Sequence, residues 1–373
     1  MLTQSAVAQY LLQRDLVSPR IVVEGDLSVS DFTRRNANFK VAGGHGPGFL
    51  LKQGVDEERR AMLAHEARVY RLLGAAEGGG RLQTYLPRLH LYNPDDSVLV
   101  LELLDEAETL DEYHARLGRF PTGLAALLGD ALGTLHAITE GRTEGEEYEG
   151  ISRRPAWMLS IHRPNVLFMR TVSNANLKLI KIVQQFPEFR GHLDALRGEW
   201  RADTLIHGDL KWANCLVYRP GEGRSKKLKL VDWEHASVGD PCYDAGSVFN
   251  DYLSFWLLSI PITGDSPPDR FMQLARYPLD KMQPAIGAFW RAYVRVMGLD
   301  PATAAEWLVR ATRYAGARLV HTAYEHGQLG YQITGNAVCF LQLGLNILQR
   351  PREAAATLLG IAPSPLPGQV ATP

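Results

Sequence analysis

The sequence contains few of the features that mark disulfide-bonded, metal-binding or membrane proteins. Its 373 residues include three cysteines, Cys215, Cys242 and Cys339, which form neither a CxxC pair nor a metal-ligand cluster. A reduced cytoplasm is the simplest setting for such a chain. The N-terminal segment lacks the basic and apolar regions of a signal peptide, and the apolar run at residues 252–262 is too short to span a bilayer. We therefore expect a cytoplasmic protein that does not enter a membrane.

An excess of charge of either sign is also absent. The formal net charge is -1, so the charge of the whole chain does not favour nucleic acid or a membrane surface as a partner. The hydrophobic fraction of 46% is ordinary for a globular protein. The length is sufficient for two domains or for one protein with two lobes.

The pattern of apolar residues changes along the chain. Up to about residue 105 it predicts strands and one clear helix, and beyond that point it is mainly helical, with a hairpin at residues 204–233. Strands first and helices later indicate an α+β fold with two lobes. We assign a small β-rich lobe to residues 1–104, a larger helical lobe to 105–360 and a disordered tail to 361–373. The main predicted elements are strands at 31–42, 47–54 and 97–105 and helices at 56–76, 122–139, 174–186 and 191–200.

The predicted hairpin brings oxygen-bearing side chains together. The segment L-I-H-G-D-L-K-W-A-N-C-L-V at residues 205–217 leads into its first strand. If the turn is centred near Gly223, antiparallel pairing puts Asn214 opposite Asp232, and Asp209 lies in the loop just before. Two carboxylates and an amide then converge at the open end of the hairpin. Such ligands suit Mg²⁺, which commonly takes one or two protein carboxylates together with substrate phosphates and water.

This set of side chains is the one that phosphoryl transfer requires, and here the sequence resembles the aminoglycoside phosphotransferase and choline kinase family. The H-G-D-x-x-x-x-N loop of that family matches residues 207–214. Its apolar-D-x-E…G-D-P…D segment matches L-V-D-W-E-H-A-S-V-G-D-P-C-Y-D at residues 230–244. The two motifs occur in the right order, and together they are specific. The resemblance implies a two-lobed protein-kinase-like fold, with a small β-rich first lobe and a larger, mostly helical second lobe.

The resemblance also implies a role for each matched residue. Asp209 would be the catalytic base, and Asn214 and Asp232 would bind Mg²⁺. Asp244 would brace the loop. His207 would orient the loop, unless it is a buried histidine without any catalytic role.

Lys211 adds a second match within the loop. It gives the D-L-K-x-x-N spacing of serine/threonine protein kinases, in which the lysine contacts the transferred phosphate. A lysine at this point would offset negative charge that develops during transfer. The alternative is a solvated surface lysine.

In this family the first lobe needs a strand lysine for the ATP phosphates and a helix glutamate that holds it. Lys52 in G-F-L-L-K-Q-G and Glu66 in M-L-A-H-E-A-R-V-Y occupy these places. Glu66 lies within the apolar stripe of its helix, and a buried carboxylate needs a partner, for which Lys52 is the natural candidate. Alternatively, Glu66 lies at the edge of the stripe and reaches solvent. Lys40 is a weaker candidate for the lysine, because its strand precedes the turn.

A G-x-G-x-x-G loop over the phosphates is absent from the first lobe. The segment R-R-N-A-N-F-K-V takes its place, and Arg35 and Asn36 are candidates for phosphate contacts, unless this segment is only the charged edge of a hairpin. The glycine-rich segment at residues 43–48 does not open a helix, so we interpret it as a turn. By resemblance, the backbone from Glu102 to Leu104 connects the lobes and meets the adenine.

The sequence defines the acceptor of the phosphate less well. Between Arg270 and Arg350, basic residues outnumber acidic ones nine to four, which argues against a polycation such as an aminoglycoside. Aromatic residues are also frequent there and suit either core packing or a groove for a neutral or acidic acceptor or a peptide. Some kinase-like proteins that resemble this family act in ribosomal peptide pathways of the lanthipeptide kind, where phosphorylation prepares Ser/Thr for elimination. A partner enzyme of such a pathway fits the same interpretation.

The sequence therefore predicts an ATP- and Mg²⁺-dependent phosphotransferase that moves the γ-phosphate to a hydroxyl of a small molecule or a peptide. The alternative from a different class is a pseudokinase that binds nucleotide without turnover. The presence of the full set argues against it, since a binding scaffold need not keep Asp209, Asn214, Asp232, Lys52 and Glu66. A metallophosphatase is set aside, because its D-x-H and G-N-H-D/E motifs are absent.

Overall fold

The computed structural model describes residues 1–32, 36–43, 48–76, 80–104, 106–220, 225–261 and 272–363. These residues pack into two compact units. The first unit comprises residues 1–113 and 213–236, and the second comprises residues 114–212 and the residues from 237 onwards. The strands that follow the H-G-D loop therefore pack with the first unit. The proposed lobe boundary between residues 104 and 105 stays a prediction.

All strands in the described part of the chain pair in antiparallel fashion. Strands β1 to β5 form a sheet in the order β1-β2-β3-β5-β4 in the first unit, which also contains a smaller sheet, β6-β8-β9. Strands β7 and β10 pair in the second unit. The strands are β1 (Leu27–Asp31), β2 (Ala37–Gly43), β3 (Phe49–Gln53), β4 (Leu89–Asn93), β5 (Val98–Glu102), β6 (Glu108–Thr109), β7 (Thr204–Ile206), β8 (Cys215–Tyr218), β9 (Lys227–Leu230) and β10 (Ser237–Gly239).

Helices make up most of the second unit. None of the described helices combines the length and the hydrophobicity that crossing a lipid bilayer requires. The helices are α1 (Gln4–Leu12), α2 (Pro19–Val23), α3 (Glu57–Ala75), α4 (Gly80–Gln83), α5 (Leu110–Leu117), α6 (Thr122–Thr139), α7 (Val166–Thr171), α8 (Asn174–Gln185), α9 (Pro187–Gly198), α10 (Pro241–Leu258), α11 (Leu279–Met297), α12 (Pro301–His326), α13 (Gly335–Gln349) and α14 (Pro351–Thr357).

Most predicted elements are present, with ends that differ by a few residues. The strand predicted at residues 31–42 was wrong at its start, since Asp31 ends β1 and β2 begins at Ala37. The helix predicted at residues 122–139 is α6 without change, and the helix predicted at 56–76 is α3. The centre of the predicted turn at residues 43–48 and most of the predicted tail at 361–373 lie outside the described residues.

An N-terminal helix that the sequence analysis does not predict covers one face of the five-stranded sheet. Val7, Tyr10 and Leu11 of α1 are buried and share a core with Phe39 of β2 and Phe49 of β3. Their spacing of three and four residues is that of an amphipathic helix, so the signal is present in a short segment. Helix α1 thus gives the sheet a buried apolar face. A sheet of several strands needs such a face to be stable.

Helix α3 begins at a side-chain cap and carries a buried charge. The Asp56 carboxylate accepts the Arg59 N–H at 2.8 Å, and two glutamates lie in the first turn. Glu66 is among the buried residues of this helix. Lys52 of β3 points away from the face that α1 covers, because side chains alternate along a strand.

A two-stranded ribbon holds the H-G-D loop in the second unit. Strand β7 ends at Ile206, immediately before His207, and Ile206 pairs with Ser237 of β10. After β10, the Asp240 carboxylate caps α10 by accepting the Cys242 N–H at 3.0 Å. The ribbon thus fixes the start of the loop against the segment that leads into α10.

Close contacts between helices of the second unit depend on glycine. A Cβ at Gly246 of α10 would lie 2.6 Å from the Ala311 carbonyl oxygen and 2.7 Å from the Tyr314 Cβ, both on α12. A Cβ at Gly191 of α9, by contrast, would meet nothing within 4 Å among the described residues. The packing of α10 on α12 therefore requires a residue without a side chain at position 246.

The variant Gly246→Ala should lower the free energy of unfolding by about 1–3 kcal/mol, because the new methyl group forces the backbones of α10 and α12 apart. The matched variant Gly191→Ala should raise that free energy by about 0.5–1 kcal/mol, since alanine favours an open helical position. Urea unfolding of both variants checks the pair. Equal effects would contradict the close contact at Gly246.

Candidate active site

Lys52 lies between two carboxylates in the first unit. Its Nζ is 2.9 Å from Glu66 Oε1, 3.0 Å from Glu66 Oε2 and 3.0 Å from Asp232 Oδ1. Glu66 is fully buried on α3, whereas Asp232 follows β9 and has a side chain that is 38% exposed. The pairing of Lys52 with Glu66 that the helix pattern predicts is thus present, and Glu66 does not reach solvent.

The electrostatics of this cluster fix a positive charge at Lys52. Burial would lower the pKa of Lys52, but the charges of Glu66 and Asp232 outweigh it and hold that pKa well above its ordinary value. Burial raises the pKa of Glu66, and Lys52 offsets this only in part. The result is a protonated lysine of fixed direction next to an accessible carboxylate, which suits the binding of phosphate oxygens.

Asn214 and Asp232 lie at the open end of the hairpin formed by β8 and β9, but with a register one residue different from the prediction. Cys215 pairs with Leu230, and the Val231 N–H donates to the Asn214 carbonyl at 3.0 Å. Asn214 is therefore opposite Val231, and the predicted partner, Asp232, is the next residue. The prediction was wrong by one position because residue pattern alone does not fix the centre of a glycine-rich turn.

The H-G-D loop is held by a carboxylate of α10. Asp244 is fully buried, and its two oxygens accept the His207 N–H at 2.6 Å and the Gly208 N–H at 3.1 Å. The same carboxylate lies 3.4 Å from His136 Nε2, and His136 Nδ1 lies 2.9 Å from the Tyr293 hydroxyl. These contacts give Asp244 the bracing position that the family resemblance implies.

Two cations contact the carboxylate of Asp209. Lys211 Nζ is 2.8 Å from Oδ2, and Nη2 of Arg318, on α12, is 3.6 Å from Oδ1. Burial would raise the pKa of Asp209, but Arg318 and Lys211 outweigh it and hold that pKa well below its ordinary range. Asp209 is therefore ionised at neutral pH and able to accept a hydrogen bond. Lys211 pairs with Asp209 instead of extending alone into solvent.

Arg318 is a site residue that the sequence analysis misses. It is 2% exposed, its Nη1 donates to the Tyr243 hydroxyl at 3.2 Å, and the same Nη1 is 2.6 Å from His321 Nδ1. Its neighbours one turn further along α12, His321 and Thr322, are buried but polar. The apolar stripe that identifies Glu66 is therefore not repeated around Arg318, and no pattern in the sequence singles this residue out.

Four of the nine basic residues between 270 and 350 pair with carboxylates from elsewhere in the second unit. The ion pairs are Arg295–Asp130, Arg310–Asp240, Arg313–Glu199 and Arg318–Asp209. The count of nine basic and four acidic residues is correct for the segment, but it does not describe a basic surface. The charge argument against a polycationic acceptor therefore stays a prediction.

The remaining predicted site residues belong to the first unit. The N–H of Glu102 donates to the Arg88 carbonyl, just before β4, at 2.8 Å, and its carboxylate lies 2.9 Å from Lys229 Nζ. Leu104 is the second residue after the end of β5. Asn36 is 8% exposed, so little of its side chain reaches solvent. Arg35 lies outside the described residues.

Comparison with known proteins identifies the family. The family model described as "Phosphotransferase enzyme family" (APH) matches residues 32–264. The chain belongs to this family. It is a phosphotransferase of the kinase type with a hydroxyl group as acceptor, as the paired motifs predict. Among curated protein sequences, none matches the phosphotransferase.

Solved structures support the fold of the phosphotransferase. Choline kinase from Cryptosporidium parvum Iowa II has a TM-score of 0.53 at 12% identity, with 93% of this chain and 97% of that one covered. A choline/ethanolamine kinase family protein from Mesorhizobium loti has a TM-score of 0.50 at 15% identity, with 95% and 98% covered. Macrolide 2′-phosphotransferase MphH from Brachybacterium faecium has a TM-score of 0.48 at 16% identity, with 91% and 97% covered. The first two of these structures, together with the family match, confirm the predicted two-lobed α+β protein-kinase-like fold.

The ion pair of Lys52 and Glu66 makes a testable contribution to stability. Lys52→Met should lower the free energy of unfolding of the phosphotransferase by about 3 kcal/mol, because a buried glutamate then lacks its cation. The double variant Lys52→Met/Glu66→Leu should recover most of that loss, and Lys40→Met, at an exposed lysine of β2, should change it by less than about 0.5 kcal/mol. Chemical unfolding measures all three. A loss in Lys52→Met no larger than in Lys40→Met would refute the buried pair.

Proposed function

We propose that this phosphotransferase moves the γ-phosphate of ATP to a hydroxyl group, with Asp209 as the base and Mg²⁺ as the metal. The observation that carries the proposal is Lys52, whose Nζ lies within hydrogen-bond distance of both Glu66 and Asp232. A lysine aligned by a buried glutamate is the phosphate-binding arrangement of kinases. Such an arrangement has no evident purpose in a protein that does not bind a nucleotide.

Asn214 and Asp232 are the residues that would hold Mg²⁺. Their donor groups, an amide oxygen and a carboxylate, are the hard oxygen ligands that this ion prefers. Asp232 has a left-handed backbone with a φ of 70°, which turns the chain out of β9 just after the bond between Val231 and Asn214. The two side chains thus belong to the same end of the hairpin, and they fit the ion. When bound, Mg²⁺ would neutralise negative charge on the phosphates.

The rest of the nucleotide would contact the first unit. We assign the adenine to the carbonyl of Glu102 and the N–H of Leu104, because the Glu102 N–H already donates to the Arg88 carbonyl. We assign the phosphates to Lys52. Arg35 and Asn36 are the other candidates for phosphate contacts, because they directly precede β2 in the sequence and β2 pairs with the strand that carries Lys52. The low exposure of Asn36 favours its backbone over its side chain as the phosphate ligand.

Asp209 would orient the acceptor hydroxyl and take its proton. As the new bond between the hydroxyl oxygen and phosphorus forms, the bond from phosphorus to the leaving oxygen of ADP breaks. The low pKa of Asp209 makes it a weak base, so the proton would leave the hydroxyl late, as a loose transition state allows. Lys211 and Arg318 hold the carboxylate in one orientation, and Lys211 is also able to offset charge on the moving phosphate.

A small molecule is the first candidate for the acceptor and a peptide the second. The peptide candidate is favoured by Lys211, which gives the D-L-K-x-x-N spacing of protein kinases. Its Nζ lies 2.8 Å from the Asp209 carboxylate. Incubation of the protein with γ-labelled ATP, Mg²⁺ and a size-separated lysate of the source organism distinguishes the two. Label in the small-metabolite fraction supports the first candidate. Label in peptides supports the second and implies a partner enzyme that acts on the phosphorylated Ser/Thr.

The variant Asp209→Asn tests the mechanism. It should bind MgATP with nearly unchanged affinity and lose phosphate transfer by about 10²–10⁴-fold, because the amide cannot accept the proton. Nucleotide binding is measured by calorimetry and transfer by label from ATP. Asp194→Asn is the control, since Asp194 pairs with His162 and Arg163 away from the loop, and it should transfer normally.

Normal transfer by Asp209→Asn would remove Asp209 from the mechanism. Binding of MgATP by the wild-type protein without any transfer would instead support the pseudokinase alternative.

A further inference from the structure

The second half of the H-G-D loop has an anchor of its own in the second unit. The Trp212 N–H donates to Asp251 Oδ2 at 2.6 Å. The Trp212 side chain is 3% exposed, and its ring lies 4.6 Å from that of His114, 4.7 Å from that of Tyr252 and 5.4 Å from that of Phe255. Trp212 is therefore fixed through both its backbone and its ring.

The two anchors of the loop lie on one face of one helix. Asp244 and Asp251 of α10 are seven residues apart, which is about two helical turns and roughly 10 Å along the axis. Asp244 accepts the N–H groups of His207 and Gly208, and Asp251 accepts that of Trp212. The family motif includes the first of these carboxylates but not the second.

We propose that Asp251 is a positioning residue, which fixes the second half of the H-G-D loop and thereby helps to orient the Asp209 carboxylate. Asp209 lies between the two anchored stretches of the loop, so its backbone is restrained from both sides. The inference rests on the proposed function of Asp209 as the base. It adds a residue that acts through the loop and does not touch the reacting atoms.

The charges around Asp251 indicate that it serves function more than stability. Lys211 from the loop and Arg318 and Glu325 from α12 face it, and its own neighbour Asn250 lies 3.4 Å away. Burial raises the pKa of Asp251 to about 7, although Arg318, the Trp212 N–H and Lys211 oppose the rise. An acid whose pKa is raised on folding lowers the stability of the folded protein once the pH exceeds its pKa in the unfolded chain. Stability therefore does not explain the presence of Asp251 beside the H-G-D loop, and a functional role does.

The ionised form of Asp251 should hold the loop more firmly than the protonated form. A charged acceptor makes the stronger hydrogen bond with the Trp212 N–H. As the pH rises through about 7, the bond strengthens and the loop becomes better fixed. Below that pH, the protonated carboxyl holds the loop less firmly.

The first test observes this bond directly and does not depend on activity. The full-length protein is labelled with ¹⁵N-tryptophan, which gives seven backbone amide signals, and Trp212→Phe identifies the one from Trp212. In the wild type, the Trp212 amide proton should shift with a midpoint near pH 7, and in Asp251→Asn this shift should be lost. His207 and His321 remain in the variant, so any effect of these histidines on the signal is retained. A Trp212 signal that does not titrate, or titrates equally in Asp251→Asn, overturns the proposal.

The second test measures whether the bond matters for transfer. Asp251→Asn should lower kcat about tenfold with a KM for MgATP within about twofold, and its rate should no longer rise between pH 6 and pH 8. Asp251→Leu should lower kcat further, and Asp130→Asn, at a carboxylate paired with Arg295, should match the wild type. Thermal unfolding shows whether each variant is folded. If Asp251→Leu is unfolded, the result for Asp251→Asn alone decides the test.

The outcomes separate this inference from the proposed function. A wild-type protein that binds MgATP but transfers nothing contradicts the proposed function, while the amide signal still tests the bond. A wild-type protein that transfers phosphate, together with an Asp251→Asn variant of equal kcat and equal pH dependence, contradicts the positioning role of Asp251.

Discussion

The buried carboxylate of Asp244 is the constraint on which the H-G-D loop depends. A carboxylate with no exposed surface is costly unless it accepts hydrogen bonds, and here the N–H groups of His207 and Gly208 supply them. Gly208 has a φ of 77°, a left-handed conformation that glycine adopts without the penalty of a Cβ. Asp209 is the next residue, so the helix that carries Asp244 determines where the proposed base lies.

Compensation of charge orients the reactive groups within each unit. In the first unit, Glu66 is enclosed and Lys52 must point to it, which fixes the direction of the lysine for its proposed phosphate contact. In the second unit, the buried Arg318 lies beside Asp209 and limits the orientations of its carboxylate. Buried pairs of this kind add little net stability, but the loss of one partner is strongly destabilising. Their main effect is therefore to favour one orientation of the paired side chains strongly over the others.

The sequence predicts those parts of the site that depend on local pattern. The burial of Glu66 follows from its place in a helical stripe, and its pairing with Lys52 follows from the cost of a buried charge. Arg318 has polar residues one turn further along its helix and lies more than a hundred residues from Asp209, so no local pattern points to it. A count of charges also hides the carboxylates that pair with its neighbours. The register of β8 and β9 depends on a turn whose centre the pattern does not define. Asp251 accepts a hydrogen bond from a backbone N–H group, that of Trp212, and a motif of side-chain types does not predict such a contact.

The central claim is that the protein transfers the γ-phosphate of ATP to a hydroxyl group. The most direct measurement follows ATP, Mg²⁺, the purified protein and the active lysate fraction by ³¹P nuclear magnetic resonance over time. The account predicts that the γ-phosphate signal decays while signals of ADP and of a new phosphomonoester grow together. Unchanged ATP, or a growth of inorganic phosphate without any phosphomonoester, would contradict it.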